Sequence, residues 1–273
     1  MKAVRVTQLE DGTFQISPLP LPTTHRQGEA GAERYRQQAR GELSAGKTFN
    51  PFPSKSLRAI RLSDGEFAGL ASQPGALLSF VISGEITVKA GPSQSIALDV
   101  GDILLTDGRS APHVKLDVRN RGRLLQIDVS DDWPGADAEI QTPGTINPRQ
   151  GDEPNLKRIH KAEDDTAFFS EFPELFSTAP DKWSEPTPIS GFRMLCWEDG
   201  WMDFHPCVTN QMGIMGSGEL QIEVGDGSSQ IFRAGDLCLT EDTTGQGHRN
   251  TVRGAMHTTN LAIDMEKPWP SRP

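Results

Sequence analysis

The chain has 273 residues, 35% of them hydrophobic, and a net charge of −10 at neutral pH. The length exceeds a domain of about 100–200 residues, no stretch reaches the ~20 apolar residues of a membrane span, and the acidic balance leaves no basic face for nucleic acid or anionic lipid. Three cysteines cannot complete a disulfide framework, and the N-terminus carries no apolar h-region, so an unprocessed cytoplasmic protein with a small-molecule partner, and with neither a membrane nor a nucleic-acid partner, is expected.

In chain order, residues 1–22 alternate as strands do and end in Pro18-Leu-Pro-Leu-Pro22, and Glu29 to Leu43 reads as a polar helix. Residues 1–56 are therefore expected as an arm ahead of a first barrel at 57–133. From Leu57 short apolar-polar runs follow one another: Leu57–Leu62, Leu77–Ile82, Glu85–Lys89, Ile103–Thr106 and Leu124–Val129. With 27 Gly and 20 Pro marking turns, the spacing predicts an all-β sandwich or barrel. Residues 134–155, rich in Pro, Gly and Asp, read as a linker to a second barrel at 156–267. There the aromatic segment Phe168–Phe176 predicts a short covering helix. The strands then mirror the first half at Phe192–Trp197, Gln211–Met215, Leu220–Val224, Leu237–Thr240 and Asn260–Asp264.

The mirroring is a repeat. Ser83-Gly84-Glu85 returns 134 residues later as Ser217-Gly218-Glu219, and Gly101-Asp102 returns as Gly235-Asp236. This period is too long for a solenoid unit of about 20–50 residues, so two copies of one domain are expected. The copies differ in chemistry: His205, Cys207 and Gln211 stand where the first copy has Ala71, Gln73 and Leu77. On a continuous strand the three share one parity and face one interior. His248, beyond the polar loop Glu241–Gly247, can reach the same interior in a closed barrel.

At these residues the chain resembles the cupin superfamily, in its two-domain bicupin form. The first cupin motif, similar to G-x5-H-x-H-x3/4-E-x6-G, reads here Gly200, His205, Cys207, Gln211 and Gly218. The second, similar to G-x5-P-x-G-x2-H-x3-N, reads Gly235-Asp236 through His248, two residues longer and with neither its Pro nor its Asn in register. The resemblance covers about residues 57–130 and 190–265. It implies two tandem jelly-roll β-barrels with short peripheral helices, and one divalent metal (Fe, Zn, Mn or Ni) held in the second barrel by His205, Gln211 and His248. Cys207, at the place of the second motif His, is the least favoured ligand. Replacing a carboxylate by the Gln211 amide removes a charge and weakens the oxygen donor, while a Cys ligand favours Zn or Fe over Mn.

Other residues carry simpler readings. Cys207 fits a small buried residue, since no basic group adjoins it, and His113, alone in the first copy, reads as structural. Gly-Gln-Gly-His lacks the Lys and following helix of a phosphate loop. Trp201 and Phe204 read as pocket walls or as core packing, and Glu241 and Asp242 as acid/base groups at the barrel mouth or as a solvated loop. Three functions stay open: a metal-dependent dioxygenase- or isomerase-type enzyme acting on a small organic molecule, a metal-free small-molecule-binding protein, and a structural bicupin. An exposed sheet edge or the N-terminal arm suggests a homodimer.

Overall fold

The computed structural model describes residues 1–21, 23–26, 52–70, 75–134, 153–197, 201–253 and 258–269. The helix expected at 29–43 and most of the expected linker lie outside these residues. The described chain is nearly all β, with one 3-10 turn at Ala111–His113.

The first half forms β1 (Ala3–Gln8), β2 (Phe14–Pro18), β3 (Thr23–Arg26), β4 (Ser56–Arg61), β5 (Gly65–Phe67), β6 (Ala76–Ala90), β7 (Gln94–Leu98), β8 (Ile103–Thr106) and β9 (Val114–Val129). The second forms β10 (Leu156–Lys161), β11 (Ala167–Glu171), β12 (Thr187–Trp197), β13 (Trp201–His205), β14 (Gln211–Ser217), β15 (Glu219–Val224), β16 (Ser229–Arg233), β17 (Leu237–Thr240), β18 (His248–Val252) and β19 (Thr258–Met265). Pairings repeat between the halves: β1 runs parallel to β8 as β10 does to β17, and β5 pairs with β9 as β13 does with β18. The register repeats too, with Ala3 opposite Ile103 and Leu156 opposite Leu237. Two tandem cupin-like jelly-roll barrels result. Residues 1–18, expected as part of an arm, supply β1 and β2 to the first barrel, while β3 pairs with β12 of the second.

The Gly-Asp turns explain the closure. Gly101 N–H donates to Val81 O at 2.8 Å and Gly235 N–H to Met215 O at 2.8 Å. The buried Asp102 carboxylate accepts from the backbone of Asp99 and Lys2, and Asp236 accepts from Arg233 and Asn155. Each Asp thus ties the tight turn to the strand that opens its own barrel. Burial raises the Asp102 carboxyl pKa above its ordinary value, an effect opposed by those backbone donors and by the Lys2 charge.

Residues 76–82 are buried on both faces, one toward the barrel interior and one toward the other barrel, which is why apolar residues occupy both parities and Ser79 alone is polar. Past Gly84, Ile86, Val88 and Ala90 alternate with more exposed residues on a single buried face. Leu57, Leu78 and Phe80 of the first barrel pack with Met194, Met212, Ile214 and Ile263 of the second in one shared core. At this junction the turn glycine Gly101 (φ +86°) approaches the second barrel so closely that a Cβ would lie 2.2 Å from Gly216 O.

The short helix expected at Phe168–Phe176 is replaced by strand β11 and an irregular segment. Phe169 faces Ile159 across the β10–β11 pair and packs on the second barrel's interior, whereas its neighbour Phe168 stacks on His160 at 4.1 Å. This period of two is a strand's. Pro173, lacking a ladder N–H, follows the strand's end.

Candidate functional site

The two barrels share a backbone and differ inside. In the first, Val81, Leu104, Leu116 and Leu124 fill the interior with Ile60, Ile86 and Val88. Its buried Gln126 amide is spent on Ser79 Oγ and Leu70 O, and His113 is exposed, with its ring 5.8 Å from that of Phe14. No motif histidine faces that core among the described residues.

The second barrel encloses a cavity of about 60 Å³ lined by His205, Cys207, Gln211 and His248. The motif positions therefore converge, though not along one continuous strand. Strand β13 stops at His205, Pro206 cannot donate to a ladder, and Cys207 lies in a connection held by its N–H on Asp242 O at 3.1 Å. Gln211 then opens β14. Cys238, Thr240 and Asn250 complete the polar lining, with Leu195, Met215 and Phe232 among the apolar walls.

Both histidines are buried, their ring centroids 4.7 Å apart. Their outward nitrogens meet oxygen acceptors: His205 Nδ1 lies 2.7 Å from Asp203 O, and His248 Nδ1 lies 2.7 Å from Asp242 Oδ2. An imidazole that donates from Nδ1 carries its lone pair on Nε2, and both residues line the cavity. Metal-binding histidines are held by such an outer partner, whose loss costs roughly 10–100-fold in affinity. Asp242→Ala is accordingly expected to weaken metal binding by about 10–100-fold in a competition titration. A parental affinity in that variant would remove Asp242 from the site.

Gln211 is oriented in the same sense. Its Nε2 donates to Asp264 Oδ1 at 3.0 Å, which leaves Oε1 as the side chain's acceptor at the cavity it lines. Asn250, two residues beyond His248 on β18 and 7% exposed, lines the cavity with an Oδ1 that has no hydrogen-bond partner among the described residues. The Cys238 sulfur contributes no charge. Cys207 Sγ lies 3.3 Å from Thr240 Oγ1, and burial, then the Asp242 and Cys207 charges, push the Cys238 thiol well above its ordinary pKa, so it stays protonated.

The remaining expectations divide. Asp242 is fully buried and sits behind His248, not at a solvated mouth. Glu241, one residue earlier and of opposite parity, turns away from the cavity; it binds the Arg158 guanidinium at 2.5 Å and accepts from Trp269 N–H. Phe204 also points elsewhere, its ring 5.3 Å beneath the Arg249 guanidinium. The side chain of Trp201 lies outside the described residues. Sequence reasoning missed Asn250 and Asp264. The parity of His248 flags the first, but the second is visible only in the β14–β19 register, which places Asp264 opposite Gln211.

A divalent metal, implied by the cupin resemblance, would find here the imidazoles of His205 and His248 and the carboxamides of Gln211 and Asn250. Among the described residues no three His, Cys, Asp or Glu side chains are grouped to hold a metal ion. The set fits a cation through neutral donors, because the unpartnered Asn250 oxygen and the two imidazoles, each held through Nδ1, belong to residues that line the same small space. Without an anionic ligand it would hold an ion less firmly than a set containing a carboxylate.

No family model matches the chain, and no curated protein matches it. Among solved structures it is similar to a DUF861-family protein from Pseudomonas syringae pv. tomato (14% identity, 96% of this chain and 100% of that one, TM-score 0.37). It is also similar to a cupin 2 conserved barrel domain protein from Leptotrichia buccalis (13% identity, 84% and 95%, TM-score 0.37). A third is the oxalate decarboxylase of Lactobacillus farciminis in a formate complex (16% identity, 80% and 79%, TM-score 0.29). Scores this low transfer no function. The duplicated strand pairings and the paired Gly-Asp turns of this chain are themselves those of two copies of one jelly-roll barrel.

Proposed function

We propose that the second barrel is a cation-binding catalytic pocket, in which His205, His248 and Gln211 hold one divalent transition metal and act on a small organic molecule. One observation carries this reading: the histidine and glutamine side chains that line the cavity are each held through one nitrogen, by Asp203 O, Asp242 and Asp264, which leaves their other polar atom to accept. A cavity lined by lone pairs favours a cation. A metal bound there supplies Lewis-acid polarisation or oxygen activation, which spans the dioxygenase and isomerase classes. The protein's own part is to orient the donors, with Asp242 retaining the His248 tautomer, and to exclude bulk water with Leu195, Met215 and Phe232. At about 60 Å³, against the roughly 150 Å³ of an engineered cavity that takes benzene, the space admits an ion and the reacting end of a substrate.

A second reading rests on the absence of an anionic donor: a metal-free pocket for a small ligand rich in N–H or O–H groups. The two separate by elemental analysis of untagged protein, as purified and after incubation with Fe(II), Mn(II), Ni(II) or Zn(II) and desalting. Near-stoichiometric retention of one ion is expected. No retention of any of the four would leave the metal-free reading in its place.

A further inference from the structure

The cupin pattern has a carboxylate where this chain has Gln211, and the structure holds a carboxylate directly across the strand pair, at Asp264. Asp264 is buried and forms a two-point ion pair with Arg193, at 2.9 Å from Oδ1 and 2.7 Å from Oδ2. Its Oδ1 also accepts from Thr209 Oγ1 and from Gln211 Nε2, both at 3.0 Å. An ionised carboxylate has no proton to donate. Any amide facing it must present NH2, and its oxygen must point the other way.

We propose that Asp264 is the positioning residue that makes residue 211 an oxygen donor, and that its charge is the reason the position is Gln and not Glu. This rests on the cation-site reading above. The negative charge stands one strand over, on the same face of the sheet, where Arg193 neutralises it, and the residue lining the cavity is a neutral amide. A Glu at 211 would set two carboxylates face to face at hydrogen-bond distance in a buried place, where like charges repel strongly. Restoring the motif carboxylate alone therefore does not restore a better ligand. It does so only when residue 264 becomes an amide, whose NH2 can donate to the carboxylate restored at 211 while its oxygen accepts from Arg193.

The test uses the full chain with Ni(II) as the probe and two readouts. In titration calorimetry, Asp264→Asn is expected to weaken Ni(II) binding about tenfold or more, in the range of lost outer-shell partners. Gln211→Glu is expected to bind no better than the parent, and Gln211→Glu/Asp264→Asn to bind at least tenfold more tightly than Asp264→Asn. A Gln211→Glu single variant that gains tenfold over the parent would overturn the proposal. The second readout needs no metal. The Gln211 side-chain NH2 signals, assigned by their loss in Gln211→Met, are expected to exchange slowly in the parent and to shift and exchange faster in Asp264→Asn. Unchanged signals would overturn the assignment. If the parent binds no Ni(II), the cation reading fails, while these amide signals still decide whether Asp264 fixes Gln211.

Discussion

Replacing both His205 and His248 by Asn is expected to abolish metal retention while leaving the second barrel folded. Alanine is the poorer choice at 248. Asp242 is fully buried, and His248 Nδ1 is the side-chain partner of its Oδ2, so His248→Ala strands a buried carboxylate. Breaking such a pair costs about 3–5 kcal/mol, and lost metal would be confused with lost structure. An Asn amide reaches about as far as Nδ1 and can donate to Asp242 Oδ2 and to Asp203 O, but it places nothing where Nε2 stood. The loss should exceed the roughly hundredfold upper range of an outer-shell change, because the ligands themselves are gone. Elemental analysis and the thermal midpoint together check it: near-zero metal with a midpoint close to the parent's supports the two imidazoles as the primary ligands. Retained stoichiometric metal would move the site elsewhere in the chain.

Much of this architecture was legible because it occurs twice. Ser-Gly-Glu and Gly-Asp recur 134 residues apart, and the structure shows the cause in the second pair: a positive-φ glycine followed by a buried Asp that accepts from the residue just before the opening strand. The convergence of His205, Cys207, Gln211 and His248 was legible too, through motif spacing, although Pro206 interrupts the strand that was expected to carry three of them. What failed was parity in loops and partnership across strands. Glu241 and Asp242 read alike as a polar pair, yet adjacent residues take opposite sides, and one became a largely buried ion pair with Arg158 while the other became the partner of His248. The aromatic run after Ala167 suggested a helix by its bulk, whereas its alternation, Phe169 inward and Phe168 on His160, belongs to a strand. Asp264 lies 53 residues from Gln211 and meets it only through sheet register, which no local pattern encodes.

Gly247 couples the fold to the site, and Gly247→Ala is expected to be among the most damaging single-methyl additions in the chain. Its φ of +76° is one that L side chains rarely adopt, and a Cβ there would lie 2.0 Å from His205 O, 2.2 Å from His205 C and 2.4 Å from Pro206 N. All three are backbone atoms, so no rotamer change relieves the contact. Either β13 and the loop entering β18 separate or the left-handed turn is abandoned, and each outcome displaces one of the two histidines. The left-handed strain costs about 1–2 kcal/mol and overpacking about 1–3 kcal/mol. At roughly 2–4 °C per kcal/mol for a domain of about 150–250 residues, a sum of ~3 kcal/mol lowers the thermal midpoint by roughly 6–12 °C. Gly12→Ala isolates the strain, since Gly12 has nearly the same φ, +81°, and a Cβ there meets nothing within 4 Å. Gly12→Ala should therefore lose only the smaller increment and keep its metal affinity, whereas Gly247→Ala should lose both stability and affinity. Equal losses in the two variants would mean that the backbone of His205 does not lie against Gly247, and that the two histidines owe their spacing to something other than this contact.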